Sequence, residues 1–188
     1  MPFRHIRERR RRERVAHDLY TVIIEHSRQP IFYTKAAVPD SLDGRFDLIV
    51  LHAFLVMRRL NRVSSVQTEA ARALSQALFD LMFDDMDQNL RELGVGDMSV
   101  GKKVKQMARA FYGRVSAYGD GLDGDDNALK GALVRNLYGT VDDEVAPPVL
   151  AAMAAYLRRQ VKELADQDEA AVMEGRVVLS DPEELHAF

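Results

Sequence analysis

Apolar residues crowd most densely between Phe46 and Leu60. Phe46, Ile49, Val50, Ala53, Phe54, Met57 and Leu60 recur at helical spacing, while Leu48, Leu51 and Leu55 fill the other side. A helix that is apolar nearly all round is a buried one, so this segment predicts the centre of a helical domain. The uncharged run between Asp47 and Arg58 is too short to cross a bilayer. Its lead-in holds Pro30, Phe32 and Tyr33, then the turn cluster from Val38 to Arg45. Val38 precedes Pro39 and is pushed towards an extended backbone. Asp40, Ser41 and Asp43 can hydrogen-bond the backbone locally, and Gly44 permits a positive φ.

Amphipathic helices surround this segment. Val15, Leu19, Val22, Ile23 and His26 mark a first helix that stops before Pro30. Ser64 and Gln67 have capping-box spacing, and the helix behind them runs to about Leu93. Its stripe is Val66, Ala70, Ala73, Ala77 and Leu81, with Leu74, Leu78 and Met82 beside it. Gly94 suits the position just past a helix C-terminus. Asp97 or Ser99 can cap the next helix, whose core positions are Val100, Val104, Met107, Ala108, Phe111, Val115 and Tyr118. Lys102, Lys103, Lys105, Arg109 and Arg114 form its basic outer face. The YGDGLDGDDN stretch (118–127) reads as a mobile loop. Leu129, Leu133 and Leu137 define a short helix ending at Gly139. Pro147 and Pro148 introduce a last long helix with the stripe Leu150, Met153, Leu157, Val161 and Leu164. Beyond Gly175 the chain reads as a short β-segment or an extended wrap. With no alternating β pattern and no repeat, the expected fold is all-α: a single-domain bundle of about six helices around a buried central one. It divides into a flexible basic arm (1–14), a helical body (15–175) and a tail (176–188).

Composition adds limits. A chain of 188 residues with 47% hydrophobic content and a net charge of −3 suits one globular domain, and nothing in that balance calls for DNA. With no cysteine, thiolate chemistry and disulfides are excluded. The Arg-rich start lacks the apolar core of a secretory signal, and no stretch reaches the roughly 18 apolar residues of a membrane helix. The expectation is a soluble or peripherally attached protein. Residues 4–14 carry seven arginines against two glutamates. They read either as a solvated, partly helical extension or as a docking segment for anionic lipid or ribosomal RNA. Arg7, Arg9, Arg10, Arg11, Arg12 and Arg14 repel one another, so ordering is expected against an anionic partner.

Candidate chemistry is sparse. Asp80, Asp84 and Asp87 share a helix face that could hold Mg²⁺, as in helical prenyl-transfer enzymes, but no second acidic motif supplies the opposite wall. Arg91, four residues after Asp87, is the simpler partner. The histidines His5, His17, His26, His52 and His186 show no zinc spacing. His52, inside the apolar helix, is either a core histidine bonded to a neighbouring carbonyl or a polar contact for a client protein or haem. No P-loop, nucleophile elbow or dinucleotide fingerprint is present. Phe32, Tyr33 and Phe46, with Arg45, either plug the loop against the bundle or line a groove for a hydrophobic client segment. Arg45 can pair with Asp40, Asp43 or Asp47.

The strings FYTKAAVPDSLDGRFDLIVLHAFLVMRRL and LFDLMFDDMDQNLRELGVGDMSVGKKVKQMARAFYGR carry a further signal. With their VPDxxDGRFxxxxLH and DMDxxLRExGVGD patterns, they resemble the ubiquinol–cytochrome c reductase assembly chaperone family over roughly residues 15–140. The resemblance implies a non-enzymatic chaperone without a cofactor. Such a protein binds immature cytochrome b, keeps it competent for haem insertion and releases it to the growing complex. It makes Phe32, Tyr33, Val38, Pro39, Arg45, Phe46 and His52 candidates for client contact, and Asp40, Asp43, Gly44, Asp87, Arg91, Gly94, Gly96 and Asp97 candidates for holding the motif's turns. The basic arm and Lys102 to Lys105 would keep the protein, cytoplasmic in a bacterium, at the inner membrane face or the ribosome. Mitochondrial relatives work with a small partner protein. The rival readings are an RNA-binding helical module that uses the arm and, more weakly, a Mg²⁺-dependent enzyme that uses the aspartate face.

Overall fold

A computed structural model describes residues 2–141 and 144–187. The helices are α1 (Pro2–Ser27), α2 (Pro30–Thr34), α3 (Leu42–Leu60), α4 (Thr68–Glu92), α5 (Asp97–Asp123), α6 (Asp126–Asn136), α7 (Pro147–Asp166) and α8 (Glu169–Met173). A 3₁₀ turn over Glu183–Leu185 closes the chain. Among the described residues no strand forms, and the fold is all-α.

The central helix is the one the apolar pattern marks. α3 packs against α1, α4, α5 and α7, and Leu48, Val50, Leu51, Ala53, Val56 and Leu60 are fully enclosed. Each such side chain larger than alanine contributes about 1.5–3 kcal/mol on leaving water. Ser41 starts the helix by accepting a hydrogen bond from the Gly44 amide at 3.1 Å. Gly44 itself departs from expectation. It does not adopt a positive φ; it is required because a Cβ there would sit 2.1 Å from the Pro39 carbonyl oxygen. The left-handed backbone in this loop belongs to Ala37, at φ 56°. Gly94 does take the left-handed region, at φ 80°, and ends α4 with Val95 donating to the Leu90 carbonyl.

Other boundaries shift. α1 begins at Pro2, not near Val15, so the basic segment continues the first helix without a break. Ser64 caps nothing; its hydroxyl donates to Glu169 at 2.7 Å, and α4 begins at Thr68 with no side-chain cap. Val66 is therefore exposed, and the buried stripe runs through Ala71, Leu74, Leu78, Met82, Phe83, Met86 and Leu90. α5 likewise starts without an Asp97 or Ser99 cap. The expected mobile loop at 118–127 is helix but for Gly124 and Asp125. Tyr118 and Leu122 are buried there, which holds α5 through its glycines, and Asp125 caps α6 through the Ala128 amide. Arg114, placed on the outer face by pattern, turns inward to Asp47 at 2.7 Å.

The tail is the extended wrap. The buried side chain of Gln160 donates to the Ser180 carbonyl and accepts from the Ser180 amide, while Val177, Leu179 and Leu185 are buried against the body. Arg159 binds Glu184, Glu163 and the Asp181 carbonyl, fastening the same segment.

Candidate functional site

The turn cluster and the helix behind it build one wall of a cleft of about 710 Å³. Tyr33, Leu42, Arg45, Phe46 and Ile49 come from α2, the loop and α3; Ile24 and Arg28 come from the end of α1. The facing wall is the last part of α4, through Asp85, Met86, Asn89, Leu90, Glu92 and Leu93, with Met107 of α5 behind. Leu42 and Leu93 stand at 54% and 64% exposure, which leaves apolar side chains at the lip uncovered.

Polar contacts fix the loop wall. The Arg45 guanidinium donates to Asp40 at 2.8 Å, one of the partners its sequence neighbourhood offers. The Tyr33 hydroxyl donates to the Ser27 carbonyl at 3.1 Å, and partial burial raises the pKa of that hydroxyl. Behind Phe46, the Arg114 guanidinium lies 5.8 Å above the ring while it pairs with Asp47. Burial pushes the Asp47 carboxyl up to about 7 against the opposing pull of Arg114.

The client-contact candidates divide into two groups. Tyr33, Arg45 and Phe46 line the cleft, and Pro39 is half-buried at its turn. Phe32, Val38 and His52 are buried and present no surface to a client. Phe32 packs within 5.2–5.8 Å of the His26, His52 and Tyr156 rings, ring centroid to ring centroid. His52 is wholly enclosed: Nδ1 meets the Leu48 carbonyl at 2.8 Å and Nε2 meets the Tyr156 hydroxyl at 2.9 Å. Both ring nitrogens are engaged, so no lone pair is free for haem iron.

Arg91 reaches Asp87 at 2.5 Å and also bonds Asp97, tying the end of α4 to the start of α5 across Gly94 and Gly96. Along the aspartate face, Asp80 accepts from Gln76 and Asp87 from Arg91, both neighbours on α4. Among the described residues no group of three His, Cys, Asp or Glu side chains could hold a metal. Lys102, Lys103, Lys105 and residues 5–14 face solvent, with Arg12 half-buried. No helix among the described residues is long and apolar enough to cross a membrane. Sequence reasoning did not single out Tyr156, Ser27 or Gln29, nor Asp85 and Glu92 as cleft residues. Only the acidity around Asp85 was a visible signal.

Bundle and cleft together define an all-helical scaffold with an apolar groove at a loop-to-helix junction. The chain belongs to the ubiquinol-cytochrome C chaperone family, whose family model matches residues 34–179. It is 27% identical over 161 residues to ubiquinol-cytochrome-c reductase complex assembly factor 1 of Xenopus laevis, covering 85% of this chain and 78% of that one. The human protein named ubiquinol-cytochrome c reductase complex assembly factor 1 is 23% identical over 146 residues, covering 78% of this chain. The chain spans about half the length of that relative (47%). The crystal structure of the Cbp3 homolog from Brucella abortus superposes with a TM-score of 0.81 at 34% identity, covering 98% of this chain and 99% of that one.

Proposed function

We propose that this protein is an assembly chaperone that binds immature cytochrome b and assists biogenesis of the ubiquinol–cytochrome c reductase complex, acting by binding and not by catalysis. The observation that carries the reading is the apolar groove, with Leu42 and Leu93 uncovered at its lip, in a chain of this family. Exposed apolar side chains around a preformed cleft suit the transient capture of a hydrophobic segment. The groove holds such a segment out of water until it is handed to the growing complex. The basic stretch of α1 and the Lys102–Lys105 face keep the protein, and any small partner, close to an anionic membrane surface or the ribosome.

The test is a pull-down from solubilised membranes of cells making the complex, read for cytochrome b. Tyr33→Ala with Leu93→Ser, both at the groove surface, should reduce recovery severalfold. Undiminished recovery would move the site away from the groove. No recovery, together with RNA binding that falls steeply with salt, would favour an RNA-binding module built on α1.

A further inference from the structure

We propose that the groove's occupant is an apolar helical segment ending in lysine or arginine, the chemistry of the cytoplasmic end of a transmembrane helix; this rests on the groove reading above. The groove's charges are uneven. Arg45 is neutralised by Asp40 at 2.8 Å. Arg28 and Asp85 also line the cleft, and the Asp85 carboxylate accepts from the Tyr20 hydroxyl at 2.7 Å. Glu92, seven residues further along α4 and about 10.5 Å along its axis, has no ion-pair partner among the described residues; only the neutral amide of Gln88 reaches it, at 2.9 Å. The cleft lining thus sets two cations, Arg28 and Arg45, against three carboxylates, Asp40, Asp85 and Glu92, and carries a surplus of one negative charge.

Glu92 precedes Leu93, the exposed apolar side chain of the lip, and lines the same cleft as Leu42. An apolar segment alone would satisfy the floor of Phe46, Ile49, Met86 and Leu90 but leave Glu92 against a greasy neighbour. A segment with a cation at one end satisfies both. Membrane helices carry this signature, because lysine and arginine concentrate at their cytoplasmic ends. The groove thus selects the part of a membrane client that a protein on the cytoplasmic side can reach.

The experiment measures fluorescence anisotropy with two labelled synthetic helical peptides of one apolar sequence, one ending in two lysines and one in two glutamates. The intact protein should bind the lysine peptide roughly fivefold more tightly at low salt, and the preference should shrink as salt rises. Glu92→Lys, a substitution at an exposed helix end, should reverse the order, while Leu93→Ser should weaken both peptides. Equal binding of the two peptides, with Leu93→Ser still weakening both, would overturn the charge selection and leave the groove standing. Binding of neither peptide would overturn both.

Discussion

Nε2 of His52 and the hydroxyl of Tyr156, 104 residues apart in sequence, meet at 2.9 Å in the middle of the bundle. The Leu48 carbonyl can only accept, so the neutral His52 ring carries its proton on Nδ1, and Nε2 accepts from Tyr156. The Tyr156 oxygen then accepts from His26 Nε2 at 2.8 Å, and His26 Nδ1 accepts from the Gln29 amide at 3.0 Å. One carbonyl sets the direction of a chain that ties α1, α3 and α7 to the start of the groove loop.

Both histidines are therefore held neutral. Burial lowers His26 from 6.5 to about 4 and His52 to about 3. A histidine depressed in the folded state contributes stability above the unfolded value of 6.5, and loses it as pH falls below that value towards the folded one. In an Asp47→Asn background, which removes an opposing titration, the urea midpoint should fall steadily from pH 7 to pH 5. A flat profile would contradict the neutral chain.

Tyr156→Phe removes the shared hydroxyl and strands a donor on His26 and an acceptor on His52. The expected cost is about 1–3 kcal/mol, the penalty for buried polar groups left unpaired. Equilibrium unfolding at pH 7.5 measures it, and a neutral result would mean that the two rings re-pair without the tyrosine.

Gly44→Ala should be among the most damaging single-methyl changes in the chain. Its Cβ would stand 2.1 Å from the Pro39 oxygen, a backbone atom that can yield only if the whole loop moves. Roughly 1–3 kcal/mol or more is expected from such overpacking, and binding at the groove should weaken with it. A variant with wild-type stability would show that the loop can open freely.

Arg114→Met leaves the Asp47 carboxyl buried without its cation. Breaking a buried pair from one side typically costs about 3–5 kcal/mol. Asp47 is raised in the folded state from 3.8 to about 7, so it opposes folding increasingly as pH rises through that window. Losing Arg114 extends the window upward. The deficit relative to wild type should therefore be larger at pH 8 than at pH 5, and Asp47→Asn should rescue it. A pH-independent deficit would assign Arg114 to packing on Phe46 alone.

How far the sequence could be read followed from how locally each feature was encoded. α3 was legible because its apolar residues cover every side, and α7 because two prolines announce it. The 118–127 stretch misled because glycine and aspartate favour turns locally, whereas the burial of Tyr118 and Leu122 decides the matter at a distance. At the groove, the turn chemistry located the loop but could not say that Phe32 points inward while Tyr33 points out, since adjacent positions of one short helix differ only in their neighbours. Arg114 looked like an ordinary member of a basic face, and its partner lies 67 residues earlier in sequence. The shared hydroxyl of Tyr156 left no trace in spacing or composition.

Gly175 lies against Val15, where a Cβ would stand 3.3 Å from the Val15 carbonyl oxygen. During translation these two positions leave the ribosome about 160 residues apart, an interval of roughly 10–30 s at ordinary synthesis rates. Over the middle of it, from the completion of α3 at Leu60 to the start of α7 at Pro147, the most apolar helix of the chain is already made while α7, which packs against it, is still to come. A protein proposed to shelter unfinished hydrophobic segments thus passes through the same exposed condition in its own birth.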